Sequence, residues 1–172
     1  MGLFSFFTSA NNRHETPAQP LSIDLGTFLF GSTNLGDIPS HADFFSKPLS
    51  QKDVYQASSH GFEMGVKNNR LDYVHVTMES FIGKLLQHDR LLDITTATTE
   101  KQILQQFGEP YWTDRSDGEA ILFYEHSNGN TELQFEFADG KHLSHITISR
   151  NGVMSCPDNR ASYKVTKPWP PE

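Results

Sequence analysis

Apolar and polar residues alternate most regularly between Glu132 and Phe137. Leu133, Phe135 and Phe137 take one parity, and Glu132, Gln134 and Glu136 take the other. Successive side chains of a strand point to opposite faces, so this segment predicts a half-buried strand with an apolar side and an acidic side. Asp139-Gly140 follows and predicts a tight hairpin turn, because both residues tolerate positive φ. A return strand is predicted over Leu143 to Ser149, with Ile146 and Ile148 on one face. Ala120 to His126 reads as a further strand, turning through Ser127-Asn128-Gly129-Asn130. Nearer the start of the chain, Gly61 to Lys67 and Leu71 to Met78 predict a second hairpin, joined by Asn68-Asn69.

Helical period is confined to short stretches. Glu100 to Phe107 carries Ile103, Leu104 and Phe107 on one face. Thr99 at the N-cap and Gln102 three residues on form a capping-box pattern, while Gly108 and Pro110 stop the helix. A weaker helix is expected from Ser40 through Phe44 and Phe45, ending before Pro48.

The two hairpins superpose. Phe62, Met64 and Val66 fall on Leu133, Phe135 and Phe137; after one extra residue in the second turn, Leu71, Val74 and Val76 fall on Leu143, Ile146 and Ile148. Phe45 and Pro48 likewise fall on Phe107 and Pro110. The same pairing arises between any two amphipathic hairpins, so duplication and shared period-2 patterning both account for it.

The run Ile103-Leu104-Gln105-Gln106-Phe107-Gly108-Glu109-Pro110, with Phe123-Tyr124 and Glu132 to Ile148 behind it, resembles one repeat of the beta-lactamase-inhibitory-protein-like fold. It is similar also to the small outer-membrane assembly lipoproteins of the SmpA/OmlA type. The resemblance spans residues 30 to 150 and implies paired repeats whose sheets join. Ser46 stands where that pattern expects glycine, and neither disulfide cysteines nor a lipoprotein signal is present. The expected fold class is therefore α+β: two tandem helix-plus-antiparallel-sheet repeats, about 27–80 and 81–150, forming one half-exposed sheet with helices on one face. A single domain is expected over 21–155, between a flexible arm (1–20) and an extended Pro-rich tail (156–172).

Composition narrows the function classes. Apolar residues at 36% and aromatics at 12% of the 172 positions argue against global disorder. With 14 basic against 21 acidic residues the net charge is -7, which disfavours a phosphate backbone as partner. The one cysteine, Cys156, rules out an internal disulfide and fits a reducing compartment. The start, Met1 to Phe7, is apolar but lacks a basic leader, and no run of about 18 apolar residues occurs, so no membrane span is expected and the location expected is cytoplasmic. The Leu3-Phe4-Phe6-Phe7 cluster is expected to dock on the chain's own body, with insertion into a partner or fraying as alternatives.

Candidate chemistry follows from sheet parity. If Leu133, Phe135, Phe137, Ile146 and Ile148 face inward, then Glu132, Gln134, Glu136, His145 and Thr147 line an open face, joined by Glu63, Lys67, Tyr73 and His75 from the first hairpin. Such a face is either ordinary solvated surface or a shallow platform for a protein partner. Tyr111 and Trp112, just after Pro110, are either partner anchors or packing against the sheet edge. The residues singled out for partner binding are thus Tyr73, His75, Tyr111, Trp112, Glu132, Gln134, Glu136 and His145. No catalytic residue, metal or cofactor is expected: no nucleophile elbow or phosphate loop occurs, Cys156 sits before Pro157 in a polar loop, and the histidines lack ligand spacing. Asp114, Asp117 and Glu119 read as loop formers or as a carboxylate cluster. The tail around Trp169 is expected to cover apolar surface, or else to serve as a recognition segment. The function expected is a non-enzymatic protein-binding module of inhibitor or immunity type. The alternative is a small-ligand carrier or enzyme using the open face, with His75 or His145 as base near Glu63 or Glu136.

Overall fold

Strand-forming segments dominate, and they assemble into two sheets rather than one. The computed structural model describes residues 13–14, 20–39, 54–57 and 60–171. The larger sheet contains β1 (Arg13–His14), β5 (Val54–Ala57), β6 (Phe62–Lys67), β7 (Arg70–Thr77), β10 (Trp112–Asp114), β11 (Ala120–His126), β12 (Thr131–Phe137) and β13 (His145–Arg150). Its order is β1-β5-β6-β7-β13-β12-β11-β10, antiparallel except for the edge pair β1·β5. A smaller sheet holds β2 (Leu21–Asp24), β3 (Leu29–Phe30), β4 (Thr33–Asn34), β8 (Gly83–Gln87) and β9 (Arg90–Leu91), with β2 and β8 parallel. Two helices are described, α1 (Glu100–Phe107) and α2 (Pro157–Ser162).

The predicted parity holds on the apolar side. Leu133, Phe135, Phe137, Ile146 and Ile148 are all fully buried, and with Phe62, Met64, Val74 and Val76 they form one face of the large sheet. What covers that face differs from expectation. Leu21, Ile23, Leu25, Phe30 and Leu85 of the small-sheet region join the same core, and α1 adds Ile103 with Leu104 and Phe107. The protein is a sheet-dominated α+β fold, and its main core lies under a second sheet and one helix instead of under helices alone. The segments 20–39 and 83–91 carry short strands that period-2 counting does not resolve.

The register is symmetric about the β7·β13 contact. Phe62↔Val76 and Met64↔Val74 on one side answer to Leu133↔Ile148 and Phe135↔Ile146 on the other, and His75 lies opposite Thr147 at the centre. Asn68 and Asn69 both take positive φ, at 53° and 61°, as a tight two-residue hairpin turn requires. The Asp139-Gly140 turn departs from expectation. Strand pairing ends at Phe137 and resumes at His145, and Asp139 instead accepts hydrogen bonds from the N–H groups of Lys141 (2.9 Å) and His142 (2.7 Å). This Asx turn competes with a two-residue hairpin and leaves a longer loop. His142 therefore lies in the loop, not on a strand.

The helix boundaries follow the capping chemistry. Gln102 Oε1 accepts from the Thr99 N–H at 2.8 Å, Gly108 N–H donates to Leu104 O at 2.9 Å, and the Tyr124 hydroxyl donates to Gly108 O at 2.8 Å, tying the helix end to β11. Of the expected N-terminal arm, Arg13–His14 pairs beside β5. The Phe cluster at 3–7, the helix at 40–48 and Ser46 lie outside the described residues. Among the described residues no helix is long and apolar enough to cross a membrane.

Asp24 ties the turn after β2 to the turn after β8. Only 3% exposed, it accepts N–H groups from Gly26 (2.8 Å), Thr27 (3.0 Å) and His88 (3.0 Å) on Oδ1 and from Asp89 (2.7 Å) on Oδ2. Burial pushes its carboxyl up, but the four main-chain donors outweigh that and hold it below the usual carboxylate range. Asp24→Ala is expected to destabilise the protein by about 3 kcal/mol and Asp24→Asn by less, because the amide keeps one acceptor. Urea unfolding checks the order; equal loss from both variants contradicts it.

Candidate functional site

On the other face of the large sheet, the side chains expected to meet water are mostly covered. β11 reads Ala-Ile-Leu-Phe-Tyr, apolar on both parities, so Ile121 and Phe123 leave a greasy patch on this second face. Residues after β13 turn back over it. Met154 is fully buried there, and Val153, Tyr163, Val165, Trp169, Tyr111 and Trp112 pack around it. The tail thus covers apolar surface, as its composition allowed. Trp169 meets Tyr111 edge-on at 5.8 Å, and the Arg160 guanidinium lies 4.8 Å over the Trp169 ring. The Tyr111 hydroxyl lies within hydrogen-bond distance of the carbonyls of Lys167 (3.2 Å) and Pro168 (3.0 Å). Tyr111 and Trp112 are accordingly internal packing residues, half-buried by the chain's own tail.

Glu132 corrects the expectation of an open acidic face most directly. It is fully buried, and its carboxylate accepts the N–H groups of Val153 (2.9 Å) and Met154 (2.9 Å) as well as the Gln134 amide. Gly152 makes this approach possible, since a Cβ there would run into the Glu132 side chain. Glu125 lies opposite Glu132 in the β11·β12 register, with both carboxyl oxygens shut off from solvent. Burial, together with the neighbouring Glu132, pushes its carboxyl far above the usual range, against a smaller pull from Arg160. Glu132 serves two main-chain donors and Glu125 has none, so the neutral form is favoured at Glu125.

Between this C-terminal segment and the sheet runs a cleft of about 370 Å³. Its floor is Tyr73, Thr147, Ser149, Gln134, Glu136 and Ile121, contributed by β7, β13, β12 and β11. Its other wall is Val153, Ser155, Cys156, Asn159 and Tyr163, with Arg150 where the chain turns over. Glu136 is 7% exposed, again far less than an open face implies. The Tyr73 hydroxyl donates to Glu63 Oε1 at 2.6 Å, and its ring lies over Gly65, where a Cβ would collide with it. His75 Nδ1 sits 2.8 Å from Thr147 Oγ1, and its ring stacks on His145 at 4.9 Å. His145 Nδ1 stands 3.6 Å from Glu136 Oε1.

Of the eight residues predicted for binding, Tyr73, Gln134 and Glu136 line the cleft directly. His75 and His145 adjoin it, Glu132 secures its wall, and Tyr111 and Trp112 belong to the packing behind that wall. Cys156 and Tyr163 were not legible as cleft residues, because nothing local in the 151–163 sequence says onto which surface that segment folds. Asp114, Asp117 and Glu119 stay at the β10–β11 turn, where the Ser116 hydroxyl donates to Asp114 at 2.7 Å.

No protein-family model matches the chain, and no curated protein is similar to it in sequence. Among solved structures it is similar to a DUF4309 family protein (YjgB) from Bacillus subtilis subsp. subtilis, at 13% sequence identity and a TM-score of 0.38, over 61% of this chain and 70% of that one.

Two titrations test this environment. Burial, and then His145, lower the His75 pKa to about 4. An unfolded histidine takes up its proton near 6.5, so between pH 7 and pH 5 the unfolded chain binds more protons and stability falls with pH, by about 2 kcal/mol. His75→Gln is expected to lose that much less over the same interval in denaturant melts. Glu125 has the opposite sign: its raised folded pKa favours folding at low pH, and the advantage is lost progressively as pH rises from about 4.3, the unfolded value, to about 10. Glu125→Gln is therefore expected to stabilise the protein by about 1–2 kcal/mol at pH 8 and by little at pH 5. A pH-independent increment would show that Glu125 is ordinarily ionised.

Proposed function

We propose that the chain is a non-enzymatic binding protein whose site is the cleft between the second sheet face and the C-terminal segment, and that its occupant is a small molecule. The observation that carries this reading is the cleft itself. Its volume of about 370 Å³ lies at the lower end of the roughly 300–1,000 Å³ typical of ligand pockets, with aromatic and aliphatic walls and a few convergent polar groups. A flat protein–protein platform is less well supported, because its intended anchors are engaged within the chain: Tyr111 by the tail carbonyls and Glu132 by main-chain N–H groups. Catalysis by the paired residues is also less well supported. Glu63 accepts the Tyr73 hydroxyl, and with a pKa of about 4 His75 is a weak base at neutral pH. The common register of the two hairpins supports a further proposal, that the halves arose by duplication.

Protein-detected NMR with a library of small fragments tests the reading. Amide shifts are expected to cluster on Tyr73, Gln134, Thr147, Val153 and Tyr163, and Thr147→Trp, which fills the floor, is expected to abolish them while leaving the small sheet's spectrum unchanged. Binding that gathers elsewhere and leaves these amides still would refute it. So would a protein partner whose hydrogen-exchange footprint spreads over the sheet edge.

A further inference from the structure

Resting on the cleft as the binding site, we infer that its ligand carries a positive charge, an amine or related cation attached to a flat apolar body. The floor supplies a counter-charge that has no hydrogen-bond donor of its own among the described residues. Glu136 is more than nine-tenths buried, lines the cleft, and is approached by His145 Nδ1 only at 3.6 Å, beyond hydrogen-bond distance. Its oxygens are not shut off from solvent, so the carboxylate opens onto the cleft, where a ligand ammonium would form the charge-assisted hydrogen bond that His145 is too far away to make.

The aromatic walls agree with this chemistry. Tyr73 and Tyr163 both line the cleft, and tyrosine faces attract cations through their ring quadrupole. The Tyr163 hydroxyl has no hydrogen-bond partner among the described residues, and it is shut off from solvent, so the Tyr163 ring and not its hydroxyl is what the cleft presents. The surrounding field has the matching sign. Burial, and then Asp114, Glu132, Glu136 and Glu119, raise the Tyr163 hydroxyl well above its ordinary pKa, as a negative local potential does. The nearby cation Arg160 faces away from the cleft role, donating to Met154 O at 2.5 Å and lying over Trp169. Arg150, where the chain turns over, is the cationic side chain that lines the cleft, and the start of its guanidinium (Nε and Cζ) lies beside Gly36. An anionic ligand would have to displace or approach Glu136; a cationic one completes it.

Three probes with the same phenethyl body vary the charge of the head: phenethylammonium, 2-phenylethanol and 3-phenylpropionate, titrated into the full chain at pH 7 and followed by amide shifts. Phenethylammonium is expected to bind about ten-fold more tightly than the alcohol, with the carboxylate weakest. Glu136→Gln is expected to bring the ammonium down to the alcohol's affinity while both probes still shift the amides of Val153 and Tyr163, a readout that a folding defect would not reproduce. If the alcohol or the carboxylate binds the cleft as well as the ammonium, the charge assignment is wrong and the site stands. If none of the three shifts cleft amides, the cation inference is overturned, and the fragment library decides the site separately.

Discussion

The carboxylate of Glu132 holds the second layer of this protein in place. A buried carboxylate is unfavourable unless it is paired or hydrogen-bonded. Here two main-chain N–H groups, from Val153 and Met154, supply the bonds, and Gly152 allows the backbone to come close enough. Hydrogen bonds to a charged acceptor contribute about 1.5–3 kcal/mol each. The bonds join residues 21 and 22 positions apart in the chain. They fix where the chain goes after β13, and with it the cleft wall.

The remaining contacts extend that anchor. α2 has six residues, too few to be helical on its own. It is held by the Arg160 guanidinium on Met154 O and by packing against Phe123, whose ring lies 5.4 Å from Tyr163. Ile121 and Phe123 make the second core possible, and Trp169 closes it against Tyr111. The apolar patch and the acidic row therefore share a single sheet face: the patch attracts the C-terminal segment, and the row both secures it and lines the space left beneath it. Stability and site are coupled, since burial and the neighbouring Glu132 favour the neutral form of Glu125 and so let two carboxyls adjoin under the same cover.

Much of the large sheet was legible. The alternation over 132–137 assigned Leu133, Phe135 and Phe137 to the core, the Asn68-Asn69 pair placed a tight turn, and Thr99, Gln102 and Gly108 bounded α1. The polar parity was read correctly as a direction and wrongly as an exposure. Period 2 says that Glu132 and Glu136 share a face; it carries no information about what lies over that face. The Asp139 loop failed for a related reason, because a side-chain carboxylate that caps two N–H groups competes with the tight turn its own residue type promotes.

Local sequence by itself determined the strands within 61–78 and 120–149, which parity is apolar there, and where α1 begins and ends, because these depend on neighbours two to four positions away. Only the tertiary structure decided that a second sheet covers the main core, that residues 151–171 fold back over the other face, and that Tyr73, Glu136 and Tyr163 meet around one cleft. Those outcomes rest on contacts between residues far apart in the chain, such as Glu132 with Met154 and Asp24 with Asp89. Such contacts leave no periodic trace in a sequence.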